Sequence, residues 1–309
     1  MNAPMDILEE FPVRKGKKQK KAFRDAVSDL LSRNGYQCRE EAGSLGARNL
    51  VIGDPERAKF LITAHYDTCA GMLVPNLITP CNVVLFVLYQ LVISAVILLP
   101  AVLLGIAVGW LTDSFFVGQL VFLILSWVNI ALLLCGPANP RNANDNTSGV
   151  VTLLEIARTL PENQRDKVCF VLFDLEELGV IGSASYRKAH KAQVQKQIVL
   201  NMDCVGDGNE LLLFPTGKLK KDPQKMALLR TCCGFFGEKR VTLFEKGLAV
   251  YPSDQSNFPY GVGICALRKG KLALYLSRIH TARDTVLDQT NVNILRAALT
   301  SLVSRSQGE

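Results

Sequence analysis

Between Asp67 and Arg141 the chain carries a single charged residue, Asp113. Two uncharged runs fill most of that interval, 29 residues over 83–111 and 22 residues over 115–136. About 20 apolar residues suffice to cross the hydrocarbon core of a bilayer. A soluble core able to surround both runs would need more chain than the rest of these 309 residues supplies. Only Thr112, Asp113 and Ser114 separate the runs, so residues 81–136 read as a transmembrane hairpin, with Pro100 kinking its first helix. The flanks, 1–80 and 137–309, then lie on one side of the membrane and form one discontinuous domain.

Outside the hairpin the composition is that of an ordinary globular protein. The net charge is +7, and seven basic residues fall between Arg14 and Arg24. That run reads equally as the solvated face of a helix and as a patch for anionic membrane lipid. Nucleic acid is not expected as a partner, because no aromatic residues or binding motif accompany it. Nine scattered cysteines without a CxxC pair argue against a disulfide scaffold or zinc finger and fit a reducing compartment. The N-terminal MNAPMDILEEFPVRKGKK contains acids and no apolar stretch, unlike a secretory signal. The turn between the spans has no Lys or Arg, whereas the domain is basic. The positive-inside rule therefore places the domain on the cytoplasmic side of the cell membrane.

Apolar strands are predicted at 49–54, 59–67, 167–174 and 197–203, and helices at 17–34, 148–160 and 291–306. Apolar strands alternating with helices imply an α/β domain, its mostly parallel (mixed) sheet sandwiched by helices. Three of the strands turn polar at their C-terminal ends, where such sheets bind ligands. His65 and Asp67 follow one strand, Glu176 and Glu177 a second, and Asp203 a third; Asp145 precedes a helix and His280 sits in SRIHTARDT. Histidine and carboxylate together suit zinc or another divalent first-row ion. Cys69 and Cys204 read as bystanders, and His190 as an exposed helix residue. Asn146 begins an NTS sequon but lies inside this polar cluster, so it does not read as glycosylated.

The motifs AHYD, NDNTSGV, EELG, MD and IHT, in that order between residues 65 and 280, resemble the dizinc exopeptidase family that includes aminopeptidases Y and S, glutamate carboxypeptidase and the glutaminyl cyclases. The resemblance implies two Zn2+ ions, Mn2+ or Co2+ being the alternatives. It puts one ion on His65 and Asp203, the other on Glu177 and His280, and Asp145 across both. Asp67 would orient the imidazole of His65, and Glu176 would be the general base. YPSDQSNF resembles the segment beside the family's substrate pocket. Tyr251 would be a donor to the oxyanion there, and Asp254 either a pocket residue or a helix cap. The membrane hairpin departs from soluble relatives and sits between two ligand-bearing segments. The leading expectation is a membrane-tethered dizinc aminopeptidase acting on peptides. An amidase or deacylase of lipid-like amides and a glutaminyl cyclase are the competing enzymes, and a non-catalytic receptor on a peptidase fold is the competing non-enzyme.

Overall fold

The computed structural model describes residues 1–72 and 74–306. Ten strands form one mixed sheet: β1 (Cys38–Ala42), β2 (Arg48–Ile52), β3 (Phe60–His65), β4 (Val168–Phe173), β5 (Ile198–Met202), β6 (Glu210–Pro215), β7 (Gly234–Phe236), β8 (Lys239–Leu243), β9 (Gly261–Lys269) and β10 (Leu274–Tyr275). Their order is β1-β2-β4-β3-β5-β9-β6-β8-β7, with β10 paired to β9. The four central strands, β4, β3, β5 and β9, run parallel to one another. Every residue of β3, β4 and β5 is buried, as expected of strands covered on both faces. The antiparallel strands at either side carry weaker periodicity, and only β2 among them is foreseen in the sequence.

Seven helices of two turns or more surround the sheet or leave it: α1 (Lys17–Ser32), α2 (Val83–Leu111), α3 (Phe115–Cys135), α4 (Gly149–Thr159), α5 (Ile181–Ala189), α6 (Pro223–Arg230) and α7 (Gln289–Arg305). α1 buries Phe23, Val27, Leu30 and Leu31, the apolar face its spacing predicts. Phe23 stacks on Tyr66 with ring centroids 5.4 Å apart.

The basic run is not the uniform solvated face or lipid patch that its sequence suggests. Arg14, Lys20 and Arg24 are buried. Lys20 pairs with Asp174 at 2.7 Å, and Arg24 with Glu40 at 2.9 Å. His190 also differs from expectation. It directly follows α5, stacks on Tyr186 and lies 2.8 Å from the Glu41 carboxylate.

Helices α2 and α3 are long and apolar enough to cross a membrane and pack on each other as a hairpin. Gly105 and Gly109 face Gly118, and a Cβ at Gly105 would meet the Gly118 carbonyl at 2.9 Å, so small residues permit the close crossing. The hairpin interrupts the connection from β3 to α4. Its two ends are joined below it, where the Gly71 N–H donates to the Pro137 carbonyl at 2.8 Å.

Candidate metal centre

Three parallel strands deliver the chemistry. β3 ends on His65, β4 leads into Glu176 and Glu177, and Asp203 directly follows β5. Asp145 lies in the turn Asn144–Ser148 ahead of α4, and His280 in the loop after β10. His65 Nε2 lies 3.4 Å from Asp145 Oδ1 and 3.7 Å from Asp203 Oδ1. His280 Nε2 lies 2.8 Å from Asp145 Oδ2 and 3.5 Å from Glu177 Oε2. Asp145 thus offers one oxygen to each histidine. Glu176 Oε2 stands 4.0 Å from His65 Nε2.

The local backbone is fixed by polar side chains rather than by regular structure. Asp284 accepts from the main-chain N–H groups of Asn144 (2.7 Å) and Asp145 (2.9 Å). Asn142 donates its side-chain amide to the Asp145 carbonyl. Asn146 accepts from the N–H groups of Gly149 and Cys204 and donates to the Met202 carbonyl. A Cβ at Gly149 would collide with Asn146 and the Met202 carbonyl, so only glycine fits this knot. Asn146 is fully buried, in keeping with its dismissal as a glycosylation site. Leu175, Cys204 and His280 adopt left-handed backbone conformations with φ of 55°, 56° and 59°. Such residues cluster where a site over-determines the chain.

Asp67 faces the imidazole of His65 with two groups. Its main-chain carbonyl lies 3.2 Å from His65 Nδ1, while its carboxylate is 3.6 Å away. The carboxylate also accepts from the N–H groups of Glu176 (3.1 Å) and Glu177 (3.3 Å), clamping the paired acids. Tyr251 is committed elsewhere: its hydroxyl donates to the Asp203 carbonyl at 2.9 Å. Asp254 begins the short 3-10 turn Asp254–Asn257 but caps nothing, because Ser253 occupies the cap position. Both of its carboxylate oxygens are buried without a hydrogen-bond partner.

Two contributors escape the sequence reading. Asp284 carries no signal that separates it from a solvated acid. Arg14 belongs to the basic run yet is fully buried, donating to the carbonyls of Phe11 and Tyr66 (2.6 Å each) and to Thr147 Oγ1 (3.0 Å). It sets a fixed positive charge beneath the acids. Cys69 is also nearer than a bystander. Its thiol joins Glu177 and His280 in a group of ligand atoms within 4.8 Å, although burial pushes the thiol up and keeps it neutral.

The electrostatics are those of a cation seat. Burial raises Glu177 to about 8, against the pull of His280. Burial also raises Glu176, with Glu177 and Asp254 adding to the effect and His65 opposing it. Burial works against a charged His280, yet Glu177 and Asp145 outweigh it and raise the imidazole to about 10. His65 is likewise raised despite burial, chiefly by Glu176, Asp145 and Asp203. Glu177 Oε1 and Asp203 Oδ1 are enclosed without hydrogen-bond partners. Buried carboxylate oxygens left in that state are costly unless a cation meets them. His65, Asp145 and Asp203 bring ligand atoms within 4.8 Å of one another, and the donors suit zinc. The residues fit a metal.

The family model described as Peptidase family M28 matches residues 127–302, more than half of the chain. A stretch of 73 residues, 23% of the chain, is 40% identical to aminopeptidase YwaD of Bacillus subtilis (strain 168), and this match spans 16% of that relative's length. Among solved structures, a Zn-dependent exopeptidase from Parabacteroides distasonis ATCC 8503 superposes with a TM-score of 0.62 at 16% identity, over 97% of this chain and 94% of that one. A glutaminyl cyclase from Porphyromonas gingivalis gives 0.61 at 17% identity, over 99% and 97%. At these identities the structural likeness speaks to the fold.

Proposed function

We propose, for a chain that belongs to peptidase family M28, a membrane-tethered aminopeptidase that works with two Zn2+ ions and removes N-terminal residues from peptides. The observation that carries the reading is the position of Asp145, with one carboxylate oxygen toward His65 and the other toward His280. His65, Asp145 and Asp203 would hold one ion, and Asp145, Glu177 and His280 the other. When bound, the ions would supply Lewis acidity for water and for the scissile carbonyl, and a seat for the substrate amine.

The chain's own residues do the rest. Glu176 holds its carboxyl at the edge of the cluster, 4.0 Å from His65 Nε2, where it would take a proton from attacking water and return it to the leaving amine. Asp67 keeps Glu176 and Glu177 in register by binding both of their N–H groups. Asp284 and Asn146 hold the main chain on either side of the Asp145 carboxylate. Helices α2 and α3 are read as the membrane tether. Asp113 alone carries charge in their turn, which supports reading the basic domain as cytoplasmic.

The purified full chain in lipid nanodiscs should release the N-terminal residue from a peptide library, lose that activity to a chelator and regain it with Zn2+. Elemental analysis should find two zinc ions per chain. Cyclised N-terminal glutamine with the peptide otherwise intact would replace the peptidase by a cyclase. No release by the zinc-loaded protein would overturn the reading.

A further inference from the structure

Two loops that carry none of the metal ligands each present a leucine to solvent beside lysine. Leu272, 82% exposed, lies in the turn between β9 and β10, preceded by Lys269 and Lys271. Leu248, 72% exposed, follows Lys246 in the loop after β8. Both loops are fastened to the root of α2. The Val250 N–H donates to the Pro80 carbonyl at 3.0 Å, and Ile78 exchanges main-chain hydrogen bonds of 2.9 Å with Leu276. Ile78, Cys81, Ala249 and Leu274 pack on one apolar cluster. The residues Gly270–Ala273 line a single cavity with Leu77, Thr79 and Leu85, and Leu85 is the third residue of α2.

The helix lengths set the depth of that root. α2 has 29 residues and α3 has 21. Close packing of Gly105 on Gly118, and a hydrogen bond from Asn129 to the Ile97 carbonyl, align the two helices from the hairpin tip downward. The surplus of α2, Val83–Gln90, therefore lies at the domain end. At 1.5 Å per residue α2 is about 43 Å long, against about 30 Å of hydrocarbon. With α2 spanning along the bilayer normal, its first two turns would fall in the headgroup layer. Tyr89 agrees with that depth: its hydroxyl donates to the Pro75 carbonyl at 2.7 Å, and tyrosine favours the interface.

We infer that the Leu248 and Leu272 turns dock on the bilayer itself, each leucine entering the headgroup–acyl boundary while Lys246, Lys269 and Lys271 meet anionic headgroups. The inference rests on reading α2 and α3 as membrane-spanning. An apolar tip with cationic shoulders is the pattern of interfacial anchors, with burial and charge attraction acting together. The domain is then seated on the membrane at three points and held at one tilt.

The test uses the full chain in nanodiscs of phosphatidylcholine and phosphatidylglycerol containing brominated lipids. Trp110 and Trp127 are the chain's two tryptophans. In a W110F background, quenching of Trp127 by deep bromines checks the spanning reading. In a W110F/W127F background, Leu248→Trp and Leu272→Trp should each lose emission to shallow bromines, and K269E/K271E should restore the emission of Leu272→Trp. Quenched Trp127 with unquenched residues at 248 and 272 would overturn the docking alone. Unquenched Trp127 would overturn both readings. Equal quenching in pure phosphatidylcholine would overturn the anionic preference.

Discussion

The hairpin and the metal-site loops break opposite rules of burial. Trp110 and Phe115 are 82% and 79% exposed, although both are large and apolar. Asp145 and Asp254 are 3% and 0% exposed, although both are acids. Exposed apolar surface on this scale calls for an apolar partner, which the proposed membrane would supply, and buried carboxylates call for cations. One connection, from β3 to α4, contains both kinds of segment. The two regions answer to different surroundings, so a change that disables one should spare the other.

The largest effect should follow Asp145→Ala. With the shared carboxylate gone, zinc content by elemental analysis should fall and peptidase activity disappear, while the chain still fractionates with membranes. Full zinc occupancy would show that Asp145 serves neither ion. Glu176→Gln should keep both zinc ions and lower kcat by about 10²–10⁴-fold, the usual weight of a general base. Near-normal turnover would remove Glu176 from that role.

Zinc uptake should depend on pH in a definite direction. In the ion-free protein Glu177, raised to about 8 by burial, and His280, raised to about 10 by Glu177 and Asp145 against burial, each hold a proton at neutral pH. An entering cation must expel those protons. Affinity should therefore rise between pH 6 and 8, by about tenfold per unit for each proton released. Competition against a chromophoric chelator measures it, and a flat profile would contradict the ligand assignment. Membrane association should not follow the same curve.

Replacing 81–136 with a short polar loop tests the comparison from the other side. The soluble product should keep zinc and cleave small aminoacyl amides at near-native rates. It should lose its advantage on vesicle-bound hydrophobic peptides, because tethering raises the effective concentration by up to about 10²-fold. A folded product without zinc would make the hairpin part of the site's support. The smallest effect belongs to Tyr251→Phe. Losing its bond to the Asp203 carbonyl should cost about 0.5–1.5 kcal/mol of stability in urea unfolding, with kcat little changed. A drop of about 10²–10³-fold would instead restore Tyr251 as an oxyanion donor.

The sequence exposes what is local. β3, β4 and β5 are each a run of apolar residues that turns polar at its C-terminal end, and His65, Glu177 and Asp203 stand out at those ends; β9, the fourth central strand, is not foreseen. The hairpin is legible from length alone. What stays hidden depends on distant partners. Nothing near Arg14 says that Tyr66 and Thr147 will enclose it, so it reads as one more solvated cation. Asp67 lies beside its neighbour His65 as the sequence suggests, but nothing local says that the same carboxylate also reaches more than a hundred residues along the chain to Glu176 and Glu177. β7 and β10, of three and two residues, are too short for any periodicity to register.

The bond between Gly71 and Pro137 bears on how the chain assembles. β3 must wait for β4, since Phe60 pairs with Val168 across a long intervening stretch. Free in water, that stretch would have to close as a large loop, each doubling of length adding about 0.6 kcal/mol. A hairpin already inserted as two helices brings its exit and return points together before the sheet forms. On the proposed membrane-spanning reading of α2 and α3, the bilayer would serve as a folding template: with α3 inserted, His65 and Asp145 would need only a short closure to find each other.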